Sequence, residues 1–572
     1  MFENLPNMTQ DLMKWTWPQI EPFYKELSAR DLHAANINQW LLDWSRLSEH
    51  VSELYNRLSV ATTVNTADKE ADERFNTYLD KIYPSVQAAE QELKEKLLAS
   101  RLEPEGFRIP LRNMQAEAAL FRKSNLPLLA KEQKQNTEFD KIKGAQTITW
   151  QGEERTLRQM LTVFQDPDRD QRERAWQAIT TRQLADRQVI NDLWQKYMEL
   201  RRKIAANAEK QDYRAYQWQR LLRFDYTPEN CYSFHKAIET TVVPAARRIY
   251  ARRRAKLGVD NLRPWDLIDG WYDRPLNPPN VSPLKPFKSI EELQDKTASI
   301  FRLVDPQLSK YFETMITEGL LDLDNRKNKA PGGYCTSFDV IHRPFIFMNA
   351  VGLHCDVQTL LHEGGHSFHV FETANLRYFQ QLSVPMEFAE VASMGMELLA
   401  SPYLSQVGMY TPAEAARARI EHLEGIILFW PFMAVVDAFQ YWVYENPQDG
   451  AIPDKCDTKW GELWDRFMMG VDWNGLDDAR KTGWQRKDHI HQSPFYYVEY
   501  GLAQLGSVQL WANALKDQAG AVASYRKALA LGGTVTLPEL FAAAGAKFAF
   551  DSETLTIAVD LMEKKIEELE KY

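Results

Sequence analysis

The sequence predicts a mainly α protein with a small antiparallel β-sheet placed directly before a histidine-bearing helix, and three patterns lead to that reading. Trp40, Trp44, Leu47, Val51, Leu54 and Leu58 step by four, three, four, three and four residues, which lays one apolar stripe along a helix of about thirty residues. The segment Thr147-Ile148-Thr149-Trp150-Gln151-Gly152-Glu153-Glu154-Arg155 alternates around Gln-Gly instead and reads as a β-hairpin. Arg343-Pro344-Phe345-Ile346-Phe347-Met348-Asn349 is the strongest strand signal of the second half.

Taken in order, the amino-terminal third reads as long antiparallel helices. After the hairpin, Thr156 with Gln159 three residues on forms a capping box that starts the next helix. The six prolines from Pro264 to Pro286 alternate with tryptophan, tyrosine and leucine, which gives a rigid, ordered loop. Pro331-Gly332-Gly333-Tyr334 reads as a turn, and a partner for the 343–349 strand is expected near Ser337 to Ile341. The edge of such a sheet can hold an extended chain by main-chain hydrogen bonds, and such a partner is expected along Pro344–Asn349. Boundaries near 110 and 200 divide the chain into an N-terminal helical region (1–110), a helical region with the hairpin (111–200) and a catalytic region (201–572).

The 572 residues, 44% hydrophobic and with 17 tryptophans, suffice for a large core. A formal net charge of -10 and the lack of a Lys/Arg block argue against nucleic acid as a partner. Glu3, Pro6, Asp11, Lys14 and Pro18 interrupt the first nineteen residues, and no uncharged apolar run of about 18 residues follows, so neither a leader nor a membrane span is expected. The expected location is the cytoplasm. Cys231, Cys335, Cys355 and Cys456 lack CxxC spacing, which points to reduced thiols rather than a disulfide framework or a cysteine metal site.

The segment richest in chemistry is His362-Glu363-Gly364-Gly365-His366. Two histidines one helical turn apart, with a glutamate beside the first, form the metal-and-base pattern of a zinc peptidase. On a wheel of about 100° per residue, Leu353, Val357, Leu360, Gly364, Phe368 and Phe371 fall opposite His362, while His366 and His369 lie within about 40° of it. Glu363 lies about 100° away, where a carboxylate reaches a water beside the ion rather than the ion itself. Two mid-helix glycines cost about 1 kcal/mol each relative to alanine, so something close to the backbone must require their size. Catalytic zinc takes three protein ligands and keeps one open position. His369 shares the face, but three ligands on one straight helix surround an ion poorly; Glu387 and Glu390, in the run after Pro385, are the alternatives, and spacing does not choose between them.

Several separated segments resemble the thimet oligopeptidase and oligoendopeptidase F family of zinc peptidases, and most of all its bacterial oligoendopeptidase and Pz-peptidase branch. They are Gly333-Tyr334-Cys335 with Pro344-Phe345-Ile346-Phe347, Asp356 to His366, Phe388-Ala389-Glu390-Val391-Ala392-Ser393, and His489-Ile490 with Pro494-Phe495-Tyr496-Tyr497-Val498-Glu499-Tyr500. Trp265-Asp266 and Leu537-Pro538-Glu539-Leu540-Phe541 extend the likeness towards the whole chain. The resemblance implies a large helical ellipsoid with a deep substrate channel that admits oligopeptides, one Zn2+ per chain held by His362, His366 and Glu390, and Glu363 as general base. It also implies that His489 and the tyrosines Tyr496, Tyr497 and Tyr500 supply the groups that steady the oxyanion. Two departures from the thimet pattern are the Gly364-Gly365 pair, often Phe-Gly, and a loop after His489 without that branch's glycines. Ser493-Pro494 resembles an N-cap and first helical position, which places His489 and His491 in the preceding loop and starts there the helix that carries the tyrosines.

The expected activity is hydrolysis of internal bonds of oligopeptides. The alternatives are a metallocarboxypeptidase or dipeptidyl carboxypeptidase on a similar body, which needs a cationic anchor for the substrate's terminal carboxylate, and a zinc-containing peptide-binding protein without catalysis. Oligomeric state is not encoded in any of these patterns.

Overall fold

The six-residue apolar stripe forms as its spacing requires. Helix α1, Ile37–Val64, carries Trp40, Trp44, Leu47, Val51, Leu54 and Leu58, all buried. Its two indoles do not lose their hydrogen bonds on burial: Trp40 Nε1 donates to the Leu27 carbonyl at 3.0 Å and Trp44 Nε1 to Glu90 at 2.9 Å. This computed structural model describes residues 2–6, 11, 13–267, 284–326, 328–330 and 332–572. Most of the proline-rich loop, Pro275 to Pro283, therefore lies outside the described residues, as does Pro331.

The chain divides into two units, each built from separated segments. Unit 1 comprises Met1–Ala118, Pro283–Ala415 and Gly506–Phe548; unit 2 comprises Ala119–Ser282, Ala416–Leu505 and Ala549–Tyr572. The core around α1 belongs to unit 1 and draws on Phe23, Leu27, Leu93, Leu97 and Phe107.

Unit 1 also holds a three-stranded sheet of strands β1 (Leu321–Asp324), β2 (Tyr334–Phe338) and β3 (Arg343–Ala350), in the order β1-β3-β2. The sheet is mixed. β2 pairs antiparallel with β3, as expected, and β1 adds a parallel strand. β1 is four residues of Leu-Asp-Leu-Asp, too short to stand out by alternation, and its carboxylates are held from beyond the strand. Arg326 forms two bonds to Asp322, and the Lys329 ammonium donates to Asp322 Oδ1 and to the carbonyls of Asp322, Asp324 and Met348.

Two expectations about this sheet need correction. The partner strand begins at Tyr334 rather than near Ser337, because Tyr334 pairs with Phe347 and stacks on it at 4.9 Å, while Asp339–His342 make the turn. β3 also lies in the middle of the sheet, so its main-chain groups are engaged on both sides, and the strand left at the edge on the β2 side is β2 itself.

In unit 2 the hairpin forms with Thr147–Trp150 against Glu153–Thr156. Gln151 and Gly152 occupy its turn with φ of 53° and 86°, the double left-handed geometry of a type I′ turn. The capping box closes as well: Thr156 N–H donates to Gln159 Oε1 at 2.8 Å and Gln159 N–H to Thr156 Oγ1 at 3.2 Å. Helix Pro412–Glu445 is long and apolar enough by composition to cross a membrane, yet 83% of its apolar window is buried in the protein, which marks it as a core helix.

Candidate metal and catalytic site

In unit 1, β3 is followed by helix α2, His354–Thr373, and the turn between them is closed by Asp356, whose Oδ2 accepts the N–H groups of Val351 and Leu353 at 2.8 Å each. The helix therefore leaves the sheet in a fixed direction. Its apolar face is buried as the wheel required, with Val357, Leu360, Gly364, Phe368 and Phe371 inside. Leu353 is the exception, because it occupies the N-cap position and stays exposed.

The glycine pair brings a second helix, α3 (Met386–Ala400), against α2. A Cβ on Gly365 would lie 2.4 Å from the Ala392 carbonyl oxygen and 2.6 Å from Ser393 Cα, and one on Gly364 would lie 2.7 Å from Phe301 Cζ. Only a residue without a side chain lets α3 come that close. The approach carries Glu390 to the histidines: its Oε2 is 3.4 Å from His362 Nε2 and 3.8 Å from His366 Nε2. Ligand atoms about 2.0 to 2.1 Å from one zinc at tetrahedral angles are about 3.4 Å apart, so the three donors fit such an ion. One ligand atom from each of His362, His366 and Glu390 lies within 4.8 Å of the other two.

Two of the three donors are themselves held. Ser393 Oγ donates to Glu390 Oε2 at 3.0 Å, and His362 Nδ1 is 2.7 Å from Glu397 Oε1. Glu397 escaped the sequence reading, although it follows Glu390 by two helical turns and so shares its face. Such a carboxylate fixes which imidazole nitrogen faces the ion and makes it more basic.

The electrostatics suit divided roles. Burial, reinforced by the neighbouring glutamates, pushes the Glu363 carboxyl up to about 7, while the Cys335 backbone N–H donates to it. Burial and His362 lower His366 to about 4, which keeps that imidazole neutral, the form that binds metal. Burial opposes charge on His362, yet Glu390 and Glu397 prevail and raise it. The reciprocal holds for Glu390, lowered by His362, His366 and Ser393 against the effect of burial.

The other sequence candidates stay outside this group. Glu387 and His369 are buried, and neither joins the three donors. His369 Nε2 has no hydrogen-bond partner, its ring meets Phe388 edge-on at 6.3 Å, and burial lowers it to about 3.

In unit 2 the structure gathers a second set. The His489 ring centroid is 5.9 Å from that of Tyr496, 5.0 Å from Tyr497 and 6.0 Å from Tyr500. Tyr496 and Tyr500 are half-buried; Tyr497 is buried against Phe429 and Phe432. Burial and Lys487 lower His489 to about 4, so it is neutral at physiological pH.

The local structure differs from the expected cap. His489 and His491 belong to a short helix, Asp488–Gln492, and the tyrosine helix starts at Tyr497 and runs to Ala514. Ser493-Pro494 does not start it because Phe495 takes φ 66°, held by its N–H donating 2.7 Å to Gln440 Oε1 and its carbonyl accepting from Arg223.

Comparison with known proteins adds to this geometry. Residues 162–558 match Peptidase family M3, and residues 12–108 match the Peptidase M3 N-terminal domain. Oligopeptidase PepF of Bacillus subtilis (strain 168) is 23% identical over 342 residues, 58% of this chain; the match spans 47% of that relative's length, about half. A structure of Pz peptidase A with an inhibitor is 26% identical, with a TM-score of 0.86, and 99% of each chain is covered. An X-ray structure of a protein assigned as oligoendopeptidase F is also 26% identical, with a TM-score of 0.87, covering 99% of this chain and 98% of the other.

Proposed function

The chain belongs to peptidase family M3, and from that premise we propose that it is a zinc-dependent endopeptidase hydrolysing internal bonds of oligopeptides. The observation that carries the reading is the trio His362, His366 and Glu390, with ligand atoms mutually within 4.8 Å, beside the buried carboxyl of Glu363. Bound zinc supplies a Lewis acid that polarises a carbonyl and lowers the pKa of water from about 16 towards about 7.

The protein's own groups do the rest. Glu363, a buried carboxyl next to His362 in the chain, takes the proton of the attacking water and returns it to the leaving amine. His489, Tyr496, Tyr497 and Tyr500 are assigned to the oxyanion, because a neutral donor strengthens its hydrogen bond as charge develops and costs about 3 to 4 kcal/mol when lost. The exposure of Tyr496 and Tyr500 favours them over Tyr497 for direct contact. An extended peptide would pair with the outer edge of β2, whose Cys335 already donates to Glu363. A cytoplasmic location belongs to the same proposal, supported by the four free cysteines. The match at residues 12–108 supports reading 1–110 as an N-terminal helical region.

A peptide mixture blocked at both ends tests the activity. Internal cleavage products, abolished by a zinc chelator and restored by zinc, are expected; cleavage confined to peptides with a free carboxyl terminus would replace the endopeptidase reading with a carboxypeptidase one.

A further inference from the structure

In unit 2, His489 stands on a helix of five residues, Asp488–Gln492, too short to be stable alone. Its ring is not aimed by a bond at Nδ1. Whereas His362 Nδ1 meets Glu397, the buried Nδ1 of His489 has no hydrogen-bond partner, so the direction of this imidazole follows from how the short helix is seated.

Two longer helices of the same unit seat it, Leu126–Gly144 and Arg187–Asn207. From the first, Lys143 bonds to Asp488, Asp140 Oδ1 accepts from Gln492 Nε2 at 2.6 Å, and Phe139 stacks on the His491 ring at 4.3 Å. From the second, Trp194 meets the same ring edge-on at 5.4 Å, and Arg201 Nη2 donates to the His491 carbonyl. That carbonyl lies in the last turn of the short helix, where backbone oxygens lack partners within the helix.

The grips are unequal. The Lys143 and Asp488 side chains are 31% and 51% exposed, and an ion pair in water holds its partners loosely. The Arg201 side chain is fully buried and each of its three nitrogens is used: Nε donates to Glu132 Oε1 at 2.8 Å, Nη1 to the Tyr444 hydroxyl at 2.8 Å, and Nη2 to His491. The Tyr213 hydroxyl donates to the same Glu132 oxygen at 3.4 Å, and the guanidinium lies 4.6 Å from the Tyr197 ring centroid. A planar fork fixed at two corners holds the third in one place, and a charged donor makes a stronger bond to a carbonyl than a neutral one does.

We propose that Arg201, braced by Glu132 and Tyr444, is a positioning residue for peptide hydrolysis: by holding the His491 carbonyl it aims His489 at the developing oxyanion. The inference rests on the oxyanion role given to His489 above. Arg201 acts only through His489.

A double-mutant cycle on the full-length enzyme, read as kcat and KM for an end-blocked oligopeptide at saturating zinc, tests it. Arg201→Lys keeps the charge but loses the fork. Arg201→Met with Glu132→Gln removes the buried pair together, so that no bare carboxylate is left behind, and decides if the lysine variant does not fold. Each is made with His489 in place and with His489→Ala. With His489 present, either is expected to lower kcat about tenfold or more, with KM within about twofold and one zinc per chain retained. On top of His489→Ala, the same change is expected to cost less than about twofold, because the group it aims is gone. Losses that multiply, a loss confined to KM, or full kcat in a folded Arg201 variant would overturn the proposal while leaving the role of His489 intact. Full turnover by His489→Ala alone would remove that role and the proposal with it.

Discussion

The α2/α3 pair and the 488–500 segment both assemble catalytic-type side chains, but by opposite means. In α2/α3 two backbones touch, and the contact is encoded locally at Gly365, beside the histidine it serves. In the 488–500 segment the chain is bent by partners far away in sequence: Gln440 and Arg223 hold Phe495 left-handed, Arg223 pairs with Glu499 at 2.7 Å, and Trp430 donates to the Gly501 carbonyl. A site fixed by close-packed backbone tolerates no added atom, whereas one fixed by side-chain bonds depends on each remote partner.

The sharpest way to break this contrast is at the ligands. Glu390→Gln is expected to lose zinc and to lower kcat at least about 1000-fold, while Glu397→Gln, acting through His362, should weaken zinc affinity about 10- to 100-fold and leave residual turnover when zinc is supplied in excess. Metal titration with a chromogenic chelator separates the two. If Glu397→Gln binds zinc like the wild type, the carboxylate–imidazole contact has no positioning role.

The tyrosine cluster comes next. Tyr500→Phe should lower kcat about 100- to 1000-fold with little change in KM, and Tyr497→Phe, whose ring is buried, should cost less. Steady-state kinetics at saturating zinc give both values, and a larger loss at Tyr497 would reverse the assignment made from exposure.

Gly365→Ala tests the steric half of the comparison. With 2.4 Å to a backbone oxygen it should destabilise the protein by about 1 to 3 kcal/mol and reduce zinc affinity, whereas Gly364→Ala meets the far end of a side chain, Phe301 Cζ at 2.7 Å, rather than backbone, and should cost less. Denaturant unfolding of the two variants ranks them. Equal costs would mean that the helix approach is not set at Gly365.

The smallest effect concerns two buried histidines, His369 in unit 1 and His491 in unit 2. His491 stacks on Phe139 at 4.3 Å, and burial lowers each imidazole to about 3. Their unfolded forms take up protons below the ordinary value near 6.5, so the stability each contributes is present above that pH and is lost as pH falls towards 3. Between pH 7.5 and 5.5 each is expected to account for about 1 kcal/mol. Unfolding of His491→Gln across that range should show a shallower pH dependence; an unchanged slope would contradict the sign.

These differences also explain what could be read from the sequence. The α1 stripe, the hairpin turn and the capping box are local patterns, and all three form as spacing dictates. The histidine face and the need for small residues at 364 and 365 were legible because an amphipathic helix writes its surroundings into its own period. Spacing alone did not choose Glu390 over Glu387, since the choice depends on how α3 crosses α2; only the family resemblance of Phe388–Ser393 pointed to Glu390. β1 and the start of the tyrosine helix were missed for a similar reason: Lys329 and Arg326 hold one from outside the strand, and Gln440 and Arg223 set the other across more than fifty residues.

The most direct test of the central claim joins two readings on Glu363→Gln and wild-type protein: zinc per chain by elemental analysis, and cleavage of an end-blocked oligopeptide by mass spectrometry. One zinc in each protein, with internal cleavage reduced about 100-fold or more in the variant, is the predicted result. Undiminished cleavage by Glu363→Gln, or wild-type cleavage that persists after all zinc is removed, would contradict the account.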